Sequence, residues 1–194
     1  MKRILITGFE PFNNEAINPS WEAVARLPEV INGFAISKLC LPVVFGEAAS
    51  AALAVAEEIE PEFIVCIGQA GGRSAITPEL VAINLRHGSI SDNNGYMPID
   101  EPIIAGGENA YFSTLPVREL TEAIKAKEIN AAVSYSAGAY VCNDLLYTLL
   151  HRYKSTQTRV GFIHIPYCTE QNKEPSMDTD VIVRGLTAAI EALK

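Results

Sequence analysis

The sequence lacks any apolar run that approaches the roughly 18 residues of a membrane-spanning helix. Its amino terminus carries the basic pair Lys2-Arg3, but the apolar stretch that follows is soon interrupted by Thr7-Gly8 and Glu10-Pro11. That stretch is too short for the apolar core of a signal peptide. We therefore expect a cytoplasmic protein that has no membrane partner.

An excess of positive charge is also missing. The 15 Lys and Arg residues are outnumbered by 23 Asp and Glu residues, which gives a formal net charge of −8. A nucleic-acid-binding surface needs a basic stripe, so we expect no nucleic-acid partner. The apolar fraction of 48% and the charged fraction of 20% are typical of a globular protein. The 194 residues are predicted to form one domain, residues 1–194.

The four cysteines, Cys40, Cys66, Cys142 and Cys168, contain no pair with the C-x₂-C spacing of structural zinc sites. Disulfides are not expected, because the cytoplasm is reducing. His164 and Cys168 could share a metal, but the remaining ligands are missing. We interpret Cys66, which lies in an apolar run, and Cys40 as core residues. Cys168 is a rival nucleophile on grounds of exposure, although no helix start supports it.

Short apolar runs alternate with stretches of helical periodicity along the chain. Most of these runs are continuously apolar, which is typical of strands buried on both faces of a parallel sheet. The sequence therefore predicts an α/β fold, a single-domain three-layer α/β/α sandwich with a largely parallel, twisted sheet. The predicted strands cover residues 3–9, 35–45, 63–68, 81–85, 131–135 and 160–166, and the predicted helices cover about 18–27, 46–60, 116–129, 141–153 and 178–193.

Two stretches do not follow this pattern. Residues 69–79 are too rich in glycine for a helix, and residues 91–107 combine glycine, proline and aspartate with little periodicity. Long loops of the second kind are more often functional or mobile than packed.

Residues 134–144 are typical of a strand end, a turn that contains Gly138, and the start of a helix with Cys142 in its first turn. Unpaired N–H groups and the helix dipole at such a position favour the thiolate, which is the nucleophilic form. Cys142 is therefore our candidate nucleophile, against the alternative of a small buried apolar residue. The helix is predicted from apolar residues at helical spacing: Val141, Leu145, Leu146, Leu149, Leu150 and Tyr153.

His164 lies near the end of the predicted strand 160–166, and it is either a core histidine or a general base. His87 is expected to be exposed, and His151 is favoured near a helix end by the dipole. Active sites in parallel sheets lie outside the carboxyl ends of the strands. We therefore expect one crevice to collect residues that end or follow predicted strands: Phe9, Gln69, Cys142 and His164.

A base of this kind needs a carboxylate that orients the imidazole. Glu79, Asp144, Asp100 and Glu170 are all open candidates from the residues alone. Glu79 follows the glycine-rich turn after the strand at 63–68, which places it near the favoured edge of the sheet.

Two other functions remain open at this point. A non-catalytic α/β protein could hold a small neutral or anionic ligand at the turn 68–72, although this turn lacks the pattern of a phosphate-binding loop. A phosphorylase-type enzyme would need cationic ligands, for which Arg73 and Arg86 are the obvious candidates.

Several segments together resemble the type I pyroglutamyl peptidases, a family of cysteine peptidases. They occur in family order and extend over residues 3 to 171. The matching segments are TGFEPF (7–12), NPS (18–20), GQAGGR (68–73), ITPE (76–79), VAIN (81–84), SAG (136–138), YVCN (140–143), HIPY (164–167) and EQ (170–171).

The resemblance implies an enzyme that hydrolyses the N-terminal pyroglutamyl residue from peptides through an acyl-enzyme. Carried over by motif, Cys142 is the nucleophile, His164 the base and Glu79 the orienting acid, with no metal and no cofactor. It also implies a homo-oligomer, either a dimer or a tetramer. The implied substrate-binding residues are apolar walls with two polar supports: Phe9, Phe12, Tyr140 and Val141, then Gln69 and Asn18.

The chain departs from the family pattern beside the expected triad. Leu80 stands where a basic residue is usual, and Ala139 stands where threonine is commoner. Cys168 is an unexpected second thiol near the base.

Overall fold

The computed structural model describes all 194 residues. It contains ten strands, five α-helices and a 3₁₀-helix at Thr169–Gln171. The strands are β1 (Arg3–Phe9), β2 (Val30–Ile31), β3 (Phe34–Leu41), β4 (Phe63–Gln69), β5 (Thr77–Pro78), β6 (Val81–Ile83), β7 (Ala110–Phe112), β8 (Arg159–Ile165), β9 (Tyr167–Cys168) and β10 (Ser176–Met177). The helices are α1 (Pro19–Arg26), α2 (Glu47–Ile59), α3 (Val117–Lys125), α4 (Val141–Tyr153) and α5 (Thr179–Glu191).

The central sheet has six strands in the order β2-β3-β1-β4-β8-β5. The four inner strands are parallel, and the two-residue strands at both edges, β2 and β5, are antiparallel to their neighbours. The inner pairing aligns Thr7 with Cys66 and Gly68 with His164. The carboxyl ends of β4 and β8 therefore meet at one edge of the sheet.

Helices cover both faces of this sheet, as the continuous apolar runs predicted. In β4, Val65 and Ile67 face a core that α1, α3 and α5 complete, whereas Ile64 and Cys66 face a second core completed by α2 and α4. Alternate residues of one strand thus enter opposite cores, because successive side chains of a strand point to opposite faces. The predicted three-layer α/β fold with a largely parallel sheet is confirmed.

The predicted strand at 131–135 is wrong as a regular strand. Only isolated parallel bridges form there, from Ala131 to Ile76 and from Ser134 to Glu79. The segment is still extended, and its backbone bonds with Ile76, Pro78 and Leu80 hold it beside β5 at the sheet edge. It therefore extends the sheet edge without becoming a full strand.

The predicted strand at 81–85 exists as the shorter β6, but it lies outside the central sheet and pairs with β7 in a separate two-stranded sheet. The strand predicted at 35–45 ends at Leu41, because Pro42 has no N–H to donate to a neighbour. The helix predicted at 116–129 ends at Lys125, and the chain turns at Glu128 with a positive φ of 60°.

Candidate active site

The carboxyl ends of the parallel strands open into a cavity of about 500 Å³. Strand β1 contributes its last residue, Phe9, strand β4 contributes Gln69, and strand β8 contributes His164. The crevice predicted from the strand ends is therefore present. Its fourteen lining residues are Phe9, Phe12, Asn18, Val43, Gln69, Ala70, Arg73, Ser136, Ala137, Gly138, Tyr140, Val141, Cys142 and His164.

Cys142 is the second residue of α4 and lines this cavity. The turn before the helix passes through Gly138, whose φ of 77° is accessible to glycine at little cost. The two residues after Cys142, Asn143 and Asp144, anchor the start of the helix through their side chains. Asn143 is fully buried, and its side-chain amide bonds the backbone of Ile83 and Leu85.

Asp144 supplies the second anchor of the helix start. Its Oδ2 accepts a hydrogen bond of 2.8 Å from Gly46 N, and its Oδ1 accepts one of 2.6 Å from Arg86 Nε. The Asp144 side chain has no solvent exposure. The position of Cys142 is therefore fixed by two consecutive buried polar residues.

The His164 ring is held by Glu79. His164 Nδ1 lies 2.6 Å from Glu79 Oε1, and Glu79 is fully buried. Arg73 Nη1 donates to the same carboxylate oxygen at 2.8 Å and to Thr77 Oγ1 at 2.7 Å. Burial would raise the pKa of Glu79, but the hydrogen bond and charge of His164, together with Ser134 and Arg73, lower this pKa below its ordinary value. Glu79 is therefore an ionised acceptor.

The other three carboxylates considered from the sequence lie elsewhere. Asp144 pairs with Arg86, Asp100 pairs with His87 at 2.9 Å on the surface, and Glu170 accepts from Thr179. None of them hydrogen-bonds the His164 ring, whose only partner is Glu79.

The structure corrects two predictions about cysteines. Cys40 is exposed, not a core residue, because β2 covers only the start of β3 and leaves its end at the sheet margin. Cys168 is buried, so the exposure that made it a rival nucleophile is absent, although a 3₁₀-helix does follow it. Cys66 is a fully buried core residue, as predicted.

The two remaining histidines lie outside the cavity. His87 is exposed, as expected, and forms its pair with Asp100. His151 lies in the last turn of α4, as expected, where its Nδ1 meets Tyr111 Oη at 2.9 Å.

Contrary to the prediction, the helix start does not lower the pKa of the Cys142 thiol overall. Burial, followed by repulsion from the carboxylate of Glu79, raises the pKa of the Cys142 thiol above its ordinary value. The helix dipole typically contributes 0.3–1 kcal/mol, which is less than one pKa unit, so burial dominates. No hydrogen bond joins Cys142 to His164, although both line the cavity. Burial and the Glu79 carboxylate therefore disfavour the thiolate of Cys142.

Three of the lining residues, Phe9, Phe12 and Tyr140, carry aromatic rings that pack against one another or against rings behind the wall. The ring of Tyr140 lies 6.4 Å from that of Phe12 and 5.2 Å from that of Phe45, and Phe9 packs 6.4 Å from Phe162. All six residues that the resemblance implied for substrate binding line the cavity: Phe9, Phe12, Asn18, Gln69, Tyr140 and Val141.

Asn18 and Gln69 differ in what they can offer to a ligand. Asn18 donates to Glu10 O and accepts from both the backbone and the hydroxyl of Ser20. Its amide is therefore engaged at the start of α1. Gln69 uses only its Oε1, which accepts from Gln171 Nε2 at 2.9 Å.

Sequence reasoning missed the role of Arg73, which was considered only as a phosphate ligand. Its guanidinium pairs with Glu79, and that of Arg86 pairs with Asp144. Neither is an unpaired cation, so the structure does not favour the phosphorylase reading. The sequence position of Arg73, between the glycine-rich turn and Glu79, could have indicated that its guanidinium pairs with Glu79.

The loop 91–107 reaches the cavity wall and is anchored at its start. Asp92 is only 5% exposed, and its carboxylate accepts hydrogen bonds from the backbone N–H groups of Phe45, Asn94 and Tyr96. Tyr140 Oη donates to Ser91 O at 2.9 Å. This end of the loop is therefore packed.

Comparison with known proteins agrees with this geometry. The family model described as pyroglutamyl peptidase matches residues 2–194. The chain belongs to the pyroglutamyl peptidase family. Members of this family are cysteine peptidases that remove an N-terminal pyroglutamyl residue, so the chain is a cysteine-type hydrolase.

Individual relatives of the pyroglutamyl peptidase family extend over nearly the whole chain. The pyrrolidone-carboxylate peptidase of Lactobacillus johnsonii is 45% identical over 98% of this chain and 92% of its own length. That of Thermococcus onnurineus is 45% identical over 97% of each chain. The crystal structure of Bacillus amyloliquefaciens pyroglutamyl peptidase I has a TM-score of 0.95 at 42% identity, covering 100% of this chain and 97% of that one.

Two further observations concern the structure as a whole. None of its helices has both the length and the apolar character needed to cross a membrane. It also contains no group of three or more His, Cys, Asp or Glu side chains arranged around a common metal position.

Proposed function

We propose that the chain hydrolyses the N-terminal pyroglutamyl residue of peptides with Cys142 as nucleophile, His164 as general base and Glu79 as the acid that orients His164. The observation that carries this proposal is the pairing of a buried, ionised Glu79 with His164 Nδ1 beside the cavity that Cys142 also lines. A nucleophile, a base and a group that orients the base are the parts that covalent acyl transfer requires.

The pair of Glu79 and His164 determines which nitrogen of the ring acts. An ionised carboxylate can only accept, so the proton of the neutral imidazole lies on Nδ1. This leaves a lone pair on Nε2, which is then the basic atom. Arg73 supports the arrangement, because it donates to Glu79 and stabilises the ionised carboxylate.

The reaction follows from these roles. His164 Nε2 takes the proton of the Cys142 thiol as the sulfur attacks the pyroglutamyl carbonyl carbon. The protonated ring then gives that proton to the leaving amine, and the peptide bond breaks to leave a thioester. Water, deprotonated by the same nitrogen, hydrolyses the thioester and restores the thiol. The hydrogen bonds of such sites often tighten only when substrate binds, so a thiol and an imidazole that line one cavity without a hydrogen bond between them can still react in this way.

The cavity suits a pyroglutamyl group. This group is a flat five-membered lactam without a free amine, so a carboxylate that pairs with an N-terminal ammonium would serve no purpose. Phe9, Phe12, Tyr140 and Val141 offer apolar walls, and a polar atom left unpaired among them would cost about 1–3 kcal/mol. Gln69 is the polar side chain placed to meet the lactam. Asn18 supports the wall through its bonds at the start of α1.

We further propose that residues 1–194 act as one domain, that the protein works in the cytoplasm, and that it assembles as a dimer or tetramer. One exposed apolar surface supports self-association, namely the outer face of the β6–β7 pair. Ile83 is 36% exposed and Phe112 is 70% exposed on that face.

The test is release of a fluorescent amine from a pyroglutamyl-amide substrate. The wild-type protein is expected to be active, and Cys142→Ser is expected to lose nearly all activity. Cys168→Ser is the matched control, since it removes a buried thiol that does not line the cavity and should leave activity largely intact. Activity that survives in Cys142→Ser but not in Cys168→Ser would reverse the assignment of the nucleophile.

A second measurement separates the peptidase from a binding protein with the same cavity. Iodoacetamide should alkylate Cys142 and abolish activity, and pyroglutamate or 2-pyrrolidone should slow both effects. Ligand protection without any turnover of the amide substrate would instead favour the binding protein.

A further inference from the structure

Gln69 lines the cavity, and only one of the two polar atoms of its side-chain amide has a hydrogen-bond partner within the protein. Its Oε1 accepts a hydrogen bond from Gln171 Nε2, but its Nε2 has no hydrogen-bond partner. Gln171 does not line the cavity, whereas Gln69 does. The free end of the Gln69 amide is thus the end available to a bound molecule.

The assignment of oxygen and nitrogen in these two amides follows from a third group. The backbone N of Cys168 lies 3.1 Å from the Gln171 amide, and a backbone N–H can only donate. The Gln171 atom facing Cys168 must therefore be its oxygen, which places the Gln171 nitrogen toward Gln69. A nitrogen donor needs an acceptor, so the Gln69 atom that meets it is oxygen.

We propose that Gln171 is a positioning residue that fixes the Gln69 amide with its NH₂ group toward the cavity, so that it donates to the lactam carbonyl of the substrate. The proposal rests on the proposed function and adds the direction of one hydrogen bond to it. Gln171 touches no substrate itself. The Cys168 backbone N–H fixes the oxygen of the Gln171 amide, and the Gln171 nitrogen in turn fixes the oxygen of the Gln69 amide. The Gln69 nitrogen is then the atom left to donate into the cavity.

This orientation has a consequence for selectivity. A glutamine free to turn could present either its oxygen or its nitrogen, and would accept an N–H group as readily as it donates to a carbonyl. A fixed donor favours a ring with a carbonyl at that position and leaves a buried donor unpaired when the carbonyl is missing. Discrimination against a substrate lacking the group that a site is built to bond is the strongest form of specificity that polar contacts supply.

The substitution Gln171→Glu should reverse the orientation of the Gln69 amide while nearly conserving the size of residue 171. An ionised carboxylate accepts from the Cys168 N–H with one oxygen and accepts from Gln69 with the other. Gln69 must then turn its Nε2 toward residue 171 and present its oxygen to the lactam carbonyl. The matched control is Cys168→Ala, which keeps the backbone N–H that sets the direction and removes the thiol with its weak contact to Gln171, 3.7 Å away.

The measurement compares two substrates with the same fluorescent amine. One carries the pyroglutamyl group, and the other carries a cyclopentanecarbonyl group, which has the ring without the lactam. Gln171→Glu is expected to lower kcat/KM for the pyroglutamyl substrate at least about tenfold, mainly through KM, and to change that of the cyclopentane substrate less than about twofold. Cys168→Ala should leave the ratio of the two substrates unchanged.

The possible results separate the inference from the function on which it rests. Equal loss on both substrates, or no loss on either, would overturn the role of Gln171, because a purely structural defect does not depend on the lactam. Wild-type protein that fails to cleave the pyroglutamyl substrate would overturn the proposed function instead. A thermal midpoint measured for each variant identifies any that is simply unfolded.

Discussion

Gly68 packs directly against the sulfur of Cys142: a Cβ atom placed on Gly68 would lie 3.0 Å from Cys142 Sγ and 2.6 Å from Cζ of Phe162. Gly68 is also the residue that pairs with His164 across the sheet. The absence of a side chain at this position thus leaves room for Cys142, the proposed nucleophile, beside the strand that carries His164, the proposed base.

Gly68→Ala is expected to reduce kcat/KM on a pyroglutamyl amide by about 10²-fold, since the added methyl group must displace the sulfur or the Phe162 ring, and small misplacements of reacting groups have effects of this size. Gly185→Ala is the control. Its Cβ would come 2.5 Å from Ile76 Cδ1 in a helix that does not line the cavity, so it should lower thermal stability and spare activity. Similar kinetic losses in both variants would contradict the specific role of Gly68.

Glu79→Gln is expected to lower kcat on the order of 10⁴-fold, as an acid-to-amide change does in serine-protease triads. The amide nearly preserves the shape of the side chain, but it removes the charge that fixes the proton on His164 Nδ1. Steady-state kinetics on the fluorogenic amide measure the loss. Asp100→Asn, which changes the surface pair with His87, is the comparison and should remain active.

The rate at which Cys142 is alkylated should increase with pH beyond the ordinary thiol value of 9.0, because burial and Glu79 raise its pKa. Only the thiolate reacts, so the rate below the pKa should rise about tenfold for each pH unit. Mass spectrometry of the Cys142 peptide, after brief iodoacetamide treatment between pH 6 and 9.5, follows this directly. A plateau beginning below pH 8 would instead indicate a preformed thiolate–imidazolium pair.

Acid should weaken the fold through Glu79. Its pKa is lowered in the folded protein from a reference value of 4.5, so the stabilisation it contributes is present above that value and is lost as pH falls through the folded pKa. Urea unfolding at pH 7 and at successive values below pH 4.5 should show a steeper loss in the wild type than in Glu79→Gln, which cannot titrate there. Equal losses of stability in the two proteins would show that titration of Glu79 does not cause the acid destabilisation.

The layers of this fold were predictable, because their evidence is local. Strands such as β4 are continuously apolar, and the helix of Cys142 has leucines at helical spacing. The sheet edges were not, since β2 and β5 have two residues each and no periodicity can be seen in such a length. The segment 131–135 was mispredicted as a strand because it is extended but forms only isolated bridges, and an apolar run does not show how many bridges its neighbours will complete.

The candidate site likewise contains residues that local sequence could indicate and residues that only tertiary structure could. Cys142 and His164 could be proposed from their positions at a helix start and a strand end. The choice of Glu79 among four carboxylates depended on resemblance, because contact between residues 85 positions apart is decided by tertiary structure. The net direction of the shift in the Cys142 pKa was not predictable, since the sequence showed the helix start but not the burial that outweighs it.

Glu79, the acid proposed to orient His164, follows the two-residue antiparallel strand β5, whereas His164 itself lies on the buried parallel strand β8. Short edge elements open more readily than central strands, at a free energy below that of global unfolding. Separation of Glu79 from His164 therefore does not require the molecule to unfold. Amide hydrogen exchange should be faster at Leu80 N than in β8, and mild denaturant should abolish catalysis before the helical signal changes. We therefore expect catalysis to be lost at a lower free energy than the fold itself, because it depends on a residue at the margin of the sheet.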